Sequence, residues 1–312
     1  MTGNLRATVL IPSRNRRALL MRTLNSLAHQ DLAAEEFEVV VVLDGTEDDS
    51  EASLDAANPP YRLRQVKQPQ AGLAAARNTA AGLALNDVLV FLDDDCEAAP
   101  GLVRGHLAMH SAHGDVLVQG FYPMAPDYLR GGVALVYDRW HRQAISEMEH
   151  TPSGSWAIWG GNFSVRRDTF FKVGGFDAER FRDYGGEDTD FGLRVAAAGV
   201  PMVVAREALA LHLRESDYTS HRRQAFSAGR SLVRLAEIHA RQMESFNGGG
   251  LAGAVDWMSS VAWSFPGLAD AIGQGLSAGL WFADRALPST AQLGLARLIH
   301  RYYKLGGIRR GI

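Results

Sequence analysis

Residues 88–95 read Val-Leu-Val-Phe-Leu-Asp-Asp-Asp, five apolar residues running straight into three carboxylates. The apolar part has the length and continuity of a strand buried on both faces, Val88–Leu92. In an extended backbone residues two apart share a face, so Asp93 and Asp95 are expected to point the same way. Crowded carboxylates repel unless a cation lies between them, and hard oxygen donors suit Mg²⁺ or Mn²⁺. Such an ion would in turn hold a diphosphate. The competing reading is a solvated acidic turn at a strand end, and this stretch alone leaves both open.

Working outward, strand and helix patterns alternate. Ala7–Ile11 is a short apolar run, and Arg16–His29 carries Leu19, Leu20, Leu24 and Leu27 at helical spacing. Glu38–Leu43 is a Val-rich run ending at Asp44-Gly45, a turn signal. Tyr61–Val66 reads as a further strand and Gly72–Leu85 as an Ala-rich helix. This alternation predicts an α/β fold with a parallel sheet covered by helices on both faces. Ligands in such sheets sit beyond the carboxyl ends of the strands, which singles out Ser13–Asn15, Asp44 and Asp93–Asp95.

Further along, Asp127–His150 reads as a long helix and Trp156–Val165 as strand-like around Gly160-Gly161. Glu187–Ala198 and Thr219–Gln242 read as helices. Past Asn247 the chain turns rich in Gly, Ala and Trp, with Gly248–Gly250 as a hinge and Pro266 interrupting any continuous helix.

Composition narrows the function. The 312 residues carry 32 Lys and Arg against 35 Asp and Glu, a formal charge of −3. That balance excludes attachment to nucleic acid by bulk electrostatics. A hydrophobic fraction of 46% and a charged fraction of 21% describe a folded, globular chain. Cys96 is the only cysteine, so neither an internal disulfide nor a multi-cysteine metal site can form. Met1–Arg6 lacks an apolar core of the kind a secretory signal has, and no apolar run reaches the roughly 20 residues of a spanning helix. The expectation is a cytoplasmic protein, with peripheral membrane contact left open.

Two other segments carry chemistry. Tyr184-Gly185-Gly186-Glu187-Asp188-Thr189-Asp190 opens a helix with clustered carboxylates. Capping and the helix dipole favour acids there, but two glycines also let backbone approach a ligand, and a carboxylate so held could serve as a general base. In Gln70–Asn78 a glycine starts a helix whose N-terminus could face phosphate, with Arg77 one turn on.

In order, Ile11-Pro12-Ser13-Arg14-Asn15-Arg16, Asp44-Gly45, Gly72…Arg77-Asn78, Phe91–Asp95, Trp159-Gly160-Gly161-Asn162-Phe163 and Gly186–Asp190 resemble a family 2 glycosyltransferase of the GT-A fold, over roughly residues 7–215. The resemblance implies a mixed, mainly parallel sheet flanked by helices. It divides the chain into a catalytic domain, 1–215, and a helical C-terminal extension, 216–312. Within the former, 1–120 would bind the nucleotide sugar and 121–215 the acceptor. The implied reaction is an inverting, Mn²⁺- or Mg²⁺-dependent transfer of a sugar from a nucleotide-diphosphate donor, a UDP-sugar above all, to an acceptor hydroxyl. Carried over, Pro12, Ser13 and Arg14 would line the nucleotide pocket, Asp44 would take the uracil N3–H, and Arg77 would contact base or diphosphate. Asp93 would hold the ribose side, with Asp94, Gly161 and Asn162 completing the donor set. Asp95 and His212 would bind the metal, and Asp188, with Glu187 beside it, would deprotonate the acceptor.

Two departures from the family pattern stand out. Asp44 is followed by Gly45-Thr46 where a second acid is common, and Val136 stands where processive synthases carry Gln before Arg139-Trp140. A sugar nucleotidyltransferase is an alternative of the same fold, although Ile11–Arg17 lacks the glycine-rich loop such enzymes use. A non-catalytic sugar-nucleotide-binding or scaffold protein is another, opposed by the acids at 93, 95, 187 and 188. The aromatic and basic residues from Trp257 to Arg310 predict either a membrane-surface patch or a lid or homodimer interface.

Overall fold

The computed structural model describes residues 5–150, 158–182, 185–214, 217–239 and 262–311. Its strands are β1 (Ala7–Ser13), β2 (Phe37–Asp44), β3 (Arg62–Gln68), β4 (Val88–Leu92), β5 (Cys96–Ala98), β6 (Leu117–Phe121), β7 (Asn162–Arg166) and β8 (Met202–His212). They form one sheet in the order β3-β2-β1-β4-β7-β6-β8-β5. The half containing β3, β2, β1 and β4 is parallel, as the alternating pattern predicts. β7 runs antiparallel to both β4 and β6, and β5 antiparallel to β8, so the whole sheet is mixed.

The helices are α1 (Arg17–Leu27), α2 (Ser50–Asp55), α3 (Leu73–Leu83), α4 (Leu102–His113), α5 (Gly131–His150), α6 (Arg167–Lys172), α7 (Glu187–Ala197), α8 (Tyr218–Ile238), α9 (Pro266–Ala286) and α10 (Ser289–Gly311). Side chains alternate across the strands, and each face of the sheet has its own core. Val9, Val39, Val90 and Leu92 face Leu20 and Leu24 of α1 and Val103 of α4. Leu10, Val40, Leu89 and Phe91 face Ala76 and Ala80 of α3 and Phe191 of α7, with Phe91 stacked on Phe163 at 4.6 Å. Burial on both faces is why β1, β2 and β4 read as unbroken apolar runs.

The chain divides into two compact units. The first comprises Met1–Ala125, His141–Arg182 and Glu187–Arg214 and contains the sheet. The second comprises Pro126–Trp140, Asp183–Gly186 and Glu215–Ile312. In the second unit α8 and α10 lie so close that Gly229 meets the Lys304 carbonyl, which leaves no room for a side chain. Val136, Ala225, Leu280, Ala296 and Ile299 form its core.

Most expected elements recur with ends displaced by a few residues. α5 begins at Gly131 rather than Asp127, β7 covers only the end of the strand-like segment, and α8 spans Tyr218–Ile238. Pro266 opens α9, where its missing N–H costs nothing. The expected hinge at Gly248–Gly250, Trp257, and Tyr184 of the acidic motif lie outside the described residues.

Candidate active site

β4 ends at Leu92, so the two-residue alternation does not continue into the acids, and the three carboxylates diverge. Asp93 turns to Arg77, whose Nη2 lies 3.0 Å away. Asp94 accepts from Ser13 Oγ at 2.6 Å. Asp94 and Asp95 share Arg16, whose Nη1 lies 3.0 and 2.9 Å from them. The expected pairing of Asp93 with Asp95 is thus replaced by two clusters, one around Arg16 and one around Arg77.

The first cluster is set by strand register. β5 pairs with β8 so that Cys96 faces His212, and Leu213 N donates to the Asp95 carbonyl at 2.7 Å. This brings His212 Nε2 to 3.2 Å from Asp95 Oδ1 across 117 positions of sequence. Burial works against a charged Asp95, but His212 and Arg16 outweigh it and hold the carboxyl well below the usual range. Burial and the neighbouring Asp95 instead push Asp94 up to about 7. Asp95 Oδ1 is buried and accepts no hydrogen bond of good geometry. A carboxylate oxygen in that state beside an imidazole fits a divalent cation, two protein donors leaving positions for water and phosphate oxygen. Asp95, Cys96 and His212 offer donor atoms within 4.8 Å of one another, and burial and the surrounding carboxylates push the Cys96 thiol far up.

The second cluster is centred on Arg77, only 2% exposed on its side chain. Its Nη1 lies 3.1 Å from Glu187 Oε1, and its Nη2 donates to Asp93 and to the Gly160 carbonyl at 2.8 Å. The guanidinium also lies over the Phe176 ring. The Gly160 N–H donates to Asp188 Oδ2 at 3.2 Å, and Thr189 N donates to Asp188 Oδ1 at 2.8 Å. One loop of residues 159–161 therefore touches the arginine through its carbonyl and Asp188 through its amide. Gly161 is needed there: a Cβ would lie 2.6 Å from the Tyr122 ring and 2.9 Å from Asp93 Oδ2.

Burial raises the Asp188 carboxyl, opposed by Arg77 and the two backbone donors. Burial and Asp188 together push Glu187 up to about 7 against the pull of Arg77. Asp93, Glu187 and Asp188 share one cation, and that excess of negative charge favours a proton held within the Glu187–Asp188 pair, the arrangement proton transfer uses. Asp190, the remaining acid of the motif, is tied to Arg194 at 2.6 Å and serves the helix.

Other expected site residues lie apart from these clusters. Asp44 accepts from Gln68 Nε2, Ala71 N and Gly72 N at 2.8, 2.7 and 2.9 Å, so the anion at the start of α3 is Asp44 itself. Pro12 is buried in β1 and Arg14 is exposed. Asn162 is fully buried, its amide joined to His106, Phe121 and Ala208, which makes it a support beneath the site. Arg16 joins both acids of the first cluster, a role that its place in the sequence does not announce. Its only signal is a basic residue just past the β1 carboxyl end.

Comparison with known proteins bears on the family and the fold. Residues 8–173 match the family model described as glycosyl transferase family 2, and residues 140–218 match one described as N-terminal domain of galactosyltransferase. The chain is 34% identical over 229 residues to validoxylamine A glucosyltransferase of Streptomyces hygroscopicus subsp. jinggangensis, covering 64% of this chain and 53% of that protein. It thus spans about half the length of that relative. Among solved structures, a mannosyltransferase from Pyrobaculum calidifontis in complex with GDP-Man and Mn²⁺ aligns with a TM-score of 0.64 at 19% identity, covering 96% of this chain and 86% of that one. GalNAc-T7 with UDP, GalNAc and Mn²⁺ aligns with a TM-score of 0.52 at 20% identity, covering 68% and 44%. At these identities the structural likeness concerns the GT-A fold.

Proposed function

The chain belongs to glycosyl transferase family 2, and we propose that it is an inverting, divalent-metal-dependent enzyme carrying a sugar from a UDP donor to an acceptor hydroxyl. The observation that carries this reading is the placement of Asp188. It is a carboxylate raised by burial, aimed by Gly160 N and Thr189 N, beside an arginine that also holds Asp93.

In the proposed reaction Asp188 takes the acceptor's proton as its oxygen attacks the anomeric carbon. The carbon–oxygen bond to the diphosphate breaks, and the electron pair leaves with the nucleotide. A single displacement with one base on the acceptor side inverts the anomeric centre. Glu187, Asp93 and Arg77 fix the geometry of the base. Asp95 and His212 would hold Mn²⁺ or Mg²⁺, and Ser13 and Arg16 would keep the carboxylates in place. Such an ion supplies Lewis-acid stabilisation to the departing diphosphate. Neighbours of this fold are complexed with GDP-Man and Mn²⁺ or with UDP and Mn²⁺, which supports a nucleotide donor with a divalent ion.

The donor half is proposed as residues 1–120, the acceptor half as 121–215 and the helical extension as 216–312. In the donor half Ser13, Arg14, Asp44 and Asp93 would face the nucleotide, with Pro12 buried behind them, and Asp44 would select uracil by accepting its N3–H. Calorimetric titration with UDP, GDP and CDP in the presence of Mn²⁺ tests the donor base. UDP should bind at least tenfold more tightly. A preference for GDP would refute the uridine assignment while leaving the transfer chemistry standing, whereas no binding of any nucleotide would refute both.

A further inference from the structure

Helix α9 shows three sectors when its residues are placed at about 100° each. Ala269, Gly273, Leu280 and Ala283 are buried within the second unit. That sector is pinned by Tyr302 Oη donating to the Ala269 carbonyl at 2.9 Å and Tyr218 Oη to the Gly273 carbonyl at 2.6 Å. A polar sector carries Asp270, Gln274 and Arg285. Between them, Leu268, Ile272, Gly275, Gly279 and Phe282 fall within about 80° of one another. Leu268, Ile272 and Phe282 are exposed, Phe282 by 56%, and Phe265 just before the helix by 60%. The thirteen residues from Ala271 to Ala283 include no charge. A surface helix normally turns polar residues outward, so a second apolar stripe beside the buried one calls for an occupant.

Charge indicates which occupant. Residues 215–312 carry eleven Lys and Arg against seven Asp and Glu, whereas residues 1–214 carry 21 against 28. Arginines stand at both ends of the stripe. Arg285 lies 4.0 Å over the ring of Trp281, itself 60% exposed, and Arg309 donates to Ser264 beside Phe265. An apolar stripe edged by exposed aromatics and arginines has the pattern of a helix lying in the boundary between lipid headgroups and acyl chains.

We propose that this face of α9 docks the second unit on an anionic bilayer. Leu268, Ile272 and Phe282 enter the acyl boundary, and Arg285 and Arg309 meet acidic headgroups. The helix lies flat: among the described residues no helix is long and apolar enough to cross a membrane.

Sedimentation of the full chain with phosphatidylcholine vesicles, with and without phosphatidylserine, tests this surface. The wild type should partition onto the phosphatidylserine vesicles and be released by salt. Leu268→Glu with Phe282→Glu should abolish partitioning without changing the thermal midpoint or UDP affinity, because both side chains face outward. Arg285→Gln should weaken it roughly fivefold, in line with the contribution of one basic residue near an anionic surface. Equal, weak binding of the wild type to both vesicle types would overturn the proposal. A dimer in analytical ultracentrifugation that the Leu268→Glu, Phe282→Glu variant splits would also overturn it, assigning the face to a second copy of the chain.

Discussion

Arg77 and Glu187, 110 positions apart in sequence, meet as a buried ion pair at 3.1 Å. The same guanidinium reaches Asp93, so one cation ties the acid at the end of β4 to the acids that open α7. Sequence reading assigned Arg77 to the nucleotide. In the structure it is buried, and its three partners are Asp93, Glu187 and the Gly160 carbonyl.

Removing that cation should therefore cost stability as well as function. Arg77→Met leaves Glu187 and Asp93 without their counter-charge and should destabilise the fold by about 3–5 kcal/mol in urea unfolding. Arg77→Lys keeps the charge but loses the fork, and should fall between. A loss below about 1 kcal/mol for Arg77→Met would mean that the pair behaves like an exposed one.

The Asp95–His212 pair predicts a metal effect that thermal melting can read. Mn²⁺ with UDP should raise the midpoint of the wild type by mass action. Asp95→Asn should eliminate the metal-dependent part of that rise, and His212→Gln should reduce it less, since the carboxylate remains. An unchanged metal-dependent rise in Asp95→Asn would place the ion elsewhere.

Buried histidines set a pH dependence of stability. Burial, with His106 and Arg166 nearby, pushes His110 down to about 3 from its ordinary 6.5. Between those values the unfolded chain binds a proton that the folded one does not, so stability falls as pH falls. Over that window the wild type should lose up to about 1.4 kcal/mol per pH unit more than His110→Gln. Parallel curves for the two proteins would show that His110 is protonated in the fold.

Much of the first unit was legible because its determinants are local. Val88–Leu92 and the run from Glu38 to Leu43 are buried on both faces, and such strands announce themselves without help from the rest of the chain. β5 and β6 are silent in the sequence, since three- and five-residue strands leave little pattern and their pairing with β8 is long-range. The direction of β7 was equally hidden, because nothing in five residues says which way a strand is crossed. In the site, the residue types were readable and their grouping was not. The i, i+2 rule failed at Asp93 and Asp95 once the strand stopped at Leu92. Asn162 looked like a ligand contact because it lies next to two glycines, but the interior claims its amide.

The proposed transfer depends most directly on Asp188. Its carboxylate is held by two backbone N–H groups, raised by burial, and placed beside the Arg77 cluster. Asp188→Asn preserves shape and can still hydrogen-bond, but it cannot take a proton. The decisive measurement is sugar transfer to an acceptor by this variant, with donor affinity determined on the same preparation. Donor affinity should match the wild type while transfer falls roughly 100- to 10,000-fold, the contribution of a positioned general base. Transfer at the wild-type rate would contradict the account and reduce Asp188 to the cap of its helix.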